Sequence, residues 1–230
     1  MRTLAIGDIH GCLRALDALL NEVNPRPDDL VITLGDYVDR GPDSLGVLDR
    51  MLALRQECRC INLKGNHDLM MLAARHDQEQ FNEWLKCGGN QTLASYRAAE
   101  DWKSFAEAIP EHHWRFLEHD CLPYHETGSH FFVHANAYPD QPLDEQPDHM
   151  LYWETLEPAT WRPHESGKTM ICGHSTQRSG RPLVLDRAIC IDTCVYGPGW
   201  LTCLNVDLQA YWQANERGQT RMANLGFRTR

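Results

Sequence analysis

The chain has 230 residues and a mass of 26.4 kDa, a length that a single hydrophobic core can serve. Its 22 Lys and Arg against 32 Asp and Glu leave a formal charge of −10 and a pI near 5.6, which excludes a generally nucleic-acid-binding or anionic-membrane-binding surface, so any phosphate must be attracted locally by metal or arginine. No segment approaches membrane-spanning length and the N-terminus lacks a secretory pattern, while nine cysteines, an odd number, read as reduced thiols; a cytoplasmic monomer is expected.

The spacing predicts strands at Leu4–Ile6, Val31–Leu34 and Ile61–Leu63, each ending in a Gly-containing polar turn, with helices at Leu13–Leu20, Leu45–Arg55 and Leu69–Ala74 between and after them. That alternation predicts an α/β domain with a mostly parallel inner sheet and loop chemistry at the strand carboxyl ends. The Trp-, Glu- and Ala-rich stretch 78–118 reads as a helical insertion. Strands resume at Phe131–Val133, Thr169–Cys172, Leu183–Leu185, Ala188–Ile191 and Leu201–Val206; Tyr138–Pro163 reads as a long loop over the site, and the polar tail after about Ala214 as a flexible extension. Cys58-x-Cys60 and Cys190-x-x-x-Cys194 lack zinc-site spacing.

Five of these strand-end turns carry metal-binding side chains: Gly7-Asp8-Ile9-His10-Gly11, Gly35-Asp36-Tyr37-Val38-Asp39-Arg40-Gly41, Gly65-Asn66-His67-Asp68, Val133-His134-Ala135-Asn136 and Cys172-Gly173-His174-Ser175. Asp8 and His10, two apart in extended chain, project to one side and can share an ion. Mixed oxygen and nitrogen donors suit manganese, iron or zinc better than calcium or magnesium. One such turn alone is weak, since an isolated Asp-x-His is usually surface decoration; the ordered set on successive strand ends is specific. His125, His130, His149 and His164 read as ordinary core, capping or surface residues. Gly173-His174-Ser175-Thr176-Gln177 lacks the final glycine of a serine-hydrolase elbow and has no later histidine, and Gly167-Lys168-Thr169 runs into a strand rather than the helix of a phosphate loop.

The blocks GDIHG, GDYVDRG, GNHD, FVHA and CGHS together resemble the calcineurin-like metallophosphoesterases, and within them the phosphoprotein phosphatases of compact phage and bacterial type, over roughly residues 4 to 206. Trp84-Leu85-Lys86-Cys87-Gly88-Gly89-Asn90-Gln91-Thr92-Leu93 and Ile191-Asp192-Thr193 strengthen the likeness. The resemblance implies an αββα sandwich, two mixed sheets flanked by helices. It further implies two divalent ions, manganese foremost with iron, zinc or nickel as alternatives: Asp8, His10 and Asp36 on the first, and Asp36, Asn66, His134 and His174 on the second. By the same resemblance the ions share a bridging water for in-line attack, His67 is the general acid, Asp39 orients it, and Arg40 clamps phosphate. Asn66 is also expected to touch substrate, and the substrate to be a phosphorylated protein or a small phosphomonoester.

Dinucleoside tetraphosphate hydrolases share GDIHG and GNH but commonly read V-A-R-G in the second block, lacking a carboxylate equivalent to Asp39; hydrolysis of such nucleotides is the alternative activity. A catalytically inactive binding module is disfavoured by the intact ligand set. In the compact phosphatases a second phosphate-binding arginine follows a tryptophan in the late loop, where this chain has Leu151-Tyr152-Trp153-Glu154-Thr155. With Thr155 in that place, Arg162 is the expected substitute and Arg178 the other candidate. Asp68, where the eukaryotic phosphatases have Glu, and Thr193-Cys194-Val195-Tyr196-Gly197, where they have S-A-P-N-Y, imply no docking of a regulatory subunit.

Overall fold

The computed structural model describes residues 1–226. In chain order its elements are β1 (Thr3–Ile6), α1 (Leu13–Val23), β2 (Leu30–Thr33), α2 (Ser44–Glu57), β3 (Arg59–Leu63), α3 (Asn66–Ala74), α4 (Gln78–Trp84), α5 (Asn90–Ser95), α6 (Phe105–Ala108), α7 (Glu111–Arg115), β4 (Cys121–Leu122), β5 (Tyr124–Glu126), β6 (His130–Val133), α8 (Asp148–Tyr152), β7 (Thr169–Cys172), β8 (Leu183–Leu185), β9 (Ala188–Cys190), β10 (Leu201–Asn205), β11 (Ala210–Ala214) and β12 (Thr220–Asn224).

Period-two alternation builds the layers. Leu4 and Ile6 of β1 point into a core shared with the helices, while Ala5 between them points into the space between two sheets. In β6, Phe132 meets Ala5, Ile32 and Leu63 there, while Phe131 and Val133 face the opposite side with Leu151, Tyr152 and Leu156. The helical layer follows its own period: Ala15, Leu16, Leu19, Leu20 and Val23 make the buried stripe of α1. The side chain of Asp43 accepts from Gly46 N at 2.8 Å and starts α2.

One sheet has the order β12-β11-β10-β1-β2-β3-β4 and the other β5-β6-β7-β9-β8. β1 to β4 run parallel and β10 to β12 antiparallel; in the second sheet β6, β7 and β9 are parallel, with antiparallel β5 and β8 at the edges. Both sheets are thus mixed and flanked by helices, the α/β sandwich expected from sequence.

Three expectations need correction. The chain after Ala214 is no loose extension up to Asn224: β12 pairs with β11 in register, Ala214↔Thr220 to Ala210↔Asn224, and Leu225 is buried. Its mostly exposed residues Thr-Arg-Met-Ala-Asn carry no alternating apolar signal, because an edge strand buries little; positions 227–230 of the expected flexible tail lie outside the described residues. The loop Tyr138–Pro163 contains a 3₁₀ turn, Leu143–Glu145, and α8, which supply the outer cover of the second sheet. β4 and β5, two and three residues long, are too short to show periodicity. The stretch 78–118 holds α4 to α7, with wide turns at Leu85–Gly89, kinked at Gly88, and at Phe116–Asp120.

Candidate metal centre and active site

Because β1, β2 and β3 are parallel in one sheet and β6, β7 and β9 in the other, each releases its following turn at its carboxyl end, where open α/β sheets place ligands. Asp8 follows β1, Asp36 follows β2, Asn66 opens α3 after β3, and His134 and His174 follow β6 and β7. The backbone there is unusual. His10, Asp36, Asp39, Arg40 and His174 have φ of 47°, 52°, 72°, 68° and 57°. This left-handed region costs residues with a Cβ on the order of 1–3 kcal/mol each and clusters at functional sites. Two glycines are sterically required: a Cβ on Gly65 would overlap Asp36 Oδ1, and one on Gly173 would overlap Asp8 Oδ1.

The imidazoles are held by the nitrogen turned away from the centre. His134 Nδ1–H donates to Leu34 O at 2.8 Å and His10 Nδ1–H to Val38 O at 3.0 Å, leaving each Nε2 bare and directed at Asp36. His10 Nε2 lies 3.4 Å from Asp36 Oδ2, and His134 Nε2 3.6 Å from Asp36 Oδ1. His174 Nε2–H donates to Trp153 O at 3.0 Å, which turns Nδ1 to within 3.0 Å of Asn66 Oδ1; His134 Nε2 is 2.9 Å from the same oxygen. Two groups of ligand atoms, Asp8-Asp36-His134 and His10-Asp36-His67, each lie within 4.8 Å and share Asp36.

Charge balance agrees with cation binding. Burial pushes His10 down to about 3 and His174 down to about 4, so both are neutral, the ligating form. Burial raises the Asp8 carboxyl well above its usual range, and the neighbouring charges of Asp192 and Asp36 raise it further. Burial and the charge of Asp36 also push Asp68 up to about 8, against three backbone N–H bonds. Buried carboxylates that raise one another in this way are relieved by divalent cations among them, and the donor set of carboxylate, amide and imidazole fits such ions.

The GNHD turn adds a buried His–Asp pair. His67 Nδ1 is 2.7 Å from Asp39 Oδ2, and Asp39 accepts further bonds from Trp84 Nε1 at 2.9 and 3.0 Å and from Thr92 Oγ1 at 2.7 Å. Burial pulls the His67 pKa down, but the charge of Asp36 and the bond to Asp39 outweigh it, and the net shift is upward. Arg40 Nη1 donates to His10 Nε2 at 2.8 Å, and its guanidinium carbon sits 4.6 Å from the Tyr196 ring centroid.

Arg162 and Thr155 are both exposed and line one cleft of about 290 Å³ with Asn136, Glu154 and Glu157. Arg178, also exposed, is absent from that lining. His125, His130, His149 and His164 lie outside the two ligand groups.

Sequence reasoning assigned no role to several residues here. Asp68 accepts from Asp36 N at 2.9 Å, Tyr37 N at 3.0 Å and Gly65 N at 2.9 Å, tying the β2 turn to the β3 turn. Asp192, after β9, accepts from Thr176 Oγ1 at 2.6 Å and Cys194 N at 3.0 Å. Trp84, Thr92, Asp192 and Tyr196 all stand in stretches already singled out, so their motif context was the available signal.

Comparison with known proteins gives the class. The model of the calcineurin-like phosphoesterases matches residues 1–202, and the chain belongs to that family. It is 36% identical over 145 residues to a symmetrical bis(5'-nucleosyl)-tetraphosphatase of Pseudomonas putida, covering 62% of this chain and 45% of that protein. It is 44% identical over 139 residues to serine/threonine-protein phosphatase 1 of Salmonella typhimurium, covering 58% of each chain. The chain therefore spans about half the length of the curated relatives it matches. Among solved structures, a putative diadenosine tetraphosphatase aligns with a TM-score of 0.66 at 20% identity, covering 96% of this chain and 92% of that one, and a cold-active protein tyrosine phosphatase with 0.64 at 15%, covering 96% and 78%. These likenesses show the fold.

Proposed function

We propose that this chain is a dinuclear metal-dependent phosphatase acting on phosphate monoesters, chiefly phosphoserine and phosphothreonine in proteins, with phosphotyrosine or a small phosphomonoester as further candidates. The observation that carries the reading is the buried His67–Asp39 pair, a proton donor for a poor leaving group held by a carboxylate that Trp84 and Thr92 in turn hold. Alkoxide leaves badly without a proton, whereas a nucleotide leaves a polyphosphate easily. Two divalent ions held by Asp8, His10, Asp36, Asn66, His134 and His174, with manganese as the expected metal, would supply Lewis acidity and an acidified water for in-line attack. The protein's own part is then positional. Asp39 keeps the His67 ring oriented from Nδ1, Nε2 delivers the proton to the leaving oxygen, and Arg40 places a fixed cation at the phosphate oxygens, backed by the Tyr196 ring. Arg162 is proposed as a second cation reaching the phosphate from the cleft it shares with Thr155. The protein is proposed to work as a cytoplasmic monomer.

The relatives named as bis(5'-nucleosyl)-tetraphosphatases favour a second reading, hydrolysis of dinucleoside tetraphosphates. A panel of phosphopeptides, p-nitrophenyl phosphate and diadenosine tetraphosphate, each assayed with manganese added back after chelation, separates the two. Higher kcat/KM on phosphopeptides, with the preference narrowed by Asp39→Ala, supports the phosphatase. A preference for the dinucleotide that Asp39→Ala leaves unchanged establishes the second reading instead.

A further inference from the structure

Away from the strand ends, Asp49 of α2 and the consecutive His112 and His113 of α7 bring one ligand atom each to within 4.8 Å of one another. His113 Nε2 lies 3.1 Å and His112 Nε2 3.9 Å from the same oxygen, Asp49 Oδ1. Successive helical residues point about 100° apart. Two neighbouring imidazoles nonetheless converge on one carboxylate oxygen through their side-chain torsions, their centroids 4.4 Å apart.

The pocket is anchored on one side and open on the other. The His113 side chain is 1% exposed, and its Nδ1 is 2.7 Å from the Tyr96 hydroxyl, a contact from α5's C-terminus that turns Nε2 toward Asp49. A tyrosine hydroxyl can donate or accept. With Nδ1–H donating to it, Nε2 is a bare ligand nitrogen held by an outer partner, the arrangement found around metal-bound histidines. Burial moves His113 downward from its ordinary pKa, so the ring is neutral and able to ligate. Asp49 and His112 are 58% and 60% exposed, which leaves room for water to complete a coordination sphere. Two imidazoles and one carboxylate select borderline ions such as zinc, nickel or copper over magnesium or calcium.

We propose that Asp49, His112 and His113 form a peripheral binding site for a divalent transition-metal ion of the zinc type, distinct from the strand-end centre. An ion there ties α2 to α7 across the helical insertion. The same α2 begins at Ser44, whose hydroxyl, 2.9 Å from that of Thr92, helps hold Asp39, so occupancy braces the frame behind the catalytic pair. The site stands independently of which ester the enzyme hydrolyses.

The test is calorimetric titration of Zn²⁺ into the metal-stripped full chain, with protein-bound zinc counted after desalting, for wild type, His112→Ala and Asp49→Asn. Both substituted side chains are exposed, so the fold should persist, as circular dichroism would verify, and the strand-end ligands are untouched. Removing a direct ligand should weaken the site more than about 100-fold, beyond the 10–100-fold that outer partners command. Each variant should therefore bind one equivalent fewer than wild type at micromolar zinc. Unchanged equivalents and dissociation constants in both variants would mean that His113 and Asp49 share only a hydrogen bond, and the site would be withdrawn.

Discussion

Replacing Asp68 with Asn tests the idea that this carboxylate fixes the shape of the metal centre without touching a metal. Its Oδ2 accepts from Asp36 N and Gly65 N, both at 2.9 Å, and its Oδ1 from Tyr37 N at 3.0 Å, in a fully buried site. An asparagine has one acceptor oxygen. Placed where Oδ2 now serves two donors, it turns its NH₂ toward Tyr37 N–H, donor against donor, and leaves that N–H unpaired. With divalent cations bound among these carboxylates Asp68 is held ionised, and losing one charge-assisted bond while stranding a buried donor then costs about 2–3 kcal/mol. At roughly 2–4 °C per kcal/mol for a chain of this size, the melting temperature should fall about 4–12 °C. Asp36, whose left-handed backbone at φ 52° is held by the Asp68 bond to its own N–H, should shift with it. If Asp36 bridges the two ions as proposed, its misplacement by about 1 Å costs on the order of 10²-fold in rate, so kcat should drop about 10–100-fold while the metal-loaded variant stays folded at 25 °C. Urea unfolding and steady-state kinetics on p-nitrophenyl phosphate measure both. A variant within about 0.5 kcal/mol of wild type, with unaltered kcat, would refute the bracing role.

Chelation should abolish turnover, manganese should restore it, and Asp36→Asn should remove most activity; full activity in excess chelator would end the two-metal reading. His67→Asn should slow alkyl phosphate hydrolysis by roughly 10²–10⁴-fold and p-nitrophenyl phosphate much less; equal losses on both esters would show that His67 only positions or binds. Asp29 is held down to about 2, since burial, which would raise it, is outweighed by the side-chain bond from Arg2 and by backbone N–H bonds from Arg26 and Arg2. A depressed carboxyl stabilises the fold above its unfolded pKa, near 4, and loses that contribution as pH falls toward 2. The contribution is about 1–2 kcal/mol after allowing for the partly solvated Arg2, so the urea stability gap between wild type and Asp29→Asn should be full at pH 6 and shrink by pH 3; a constant gap would contradict it. Arg162→Ala should raise KM and lower kcat for phosphopeptides at unchanged metal affinity, with Arg178→Ala near neutral. Wild-type kinetics in both, and in the double variant, would mean that Arg40 alone clamps the phosphate.

Local sequence sufficed for the features whose physics is local. A strand ending in Gly-Asp-x-His-Gly carries its turn, its ligand types and their common side within five residues, and the ordered turns gave the family and the sandwich before any coordinates. The α1 stripe was likewise legible, because its partners recur at the helical period. What lay beyond reach depended on packing between distant segments. Asp68 stood in a quoted motif, yet two of its three donors belong to the turn after β2. Trp84 and Thr92 reach Asp39 only once the insertion folds back over the β2 turn. β12 carried no pattern because it is an exposed edge held by backbone pairing rather than buried side chains. Asp49 meets His112 and His113 only because α7 comes to lie beside α2, a juxtaposition that tertiary packing alone creates.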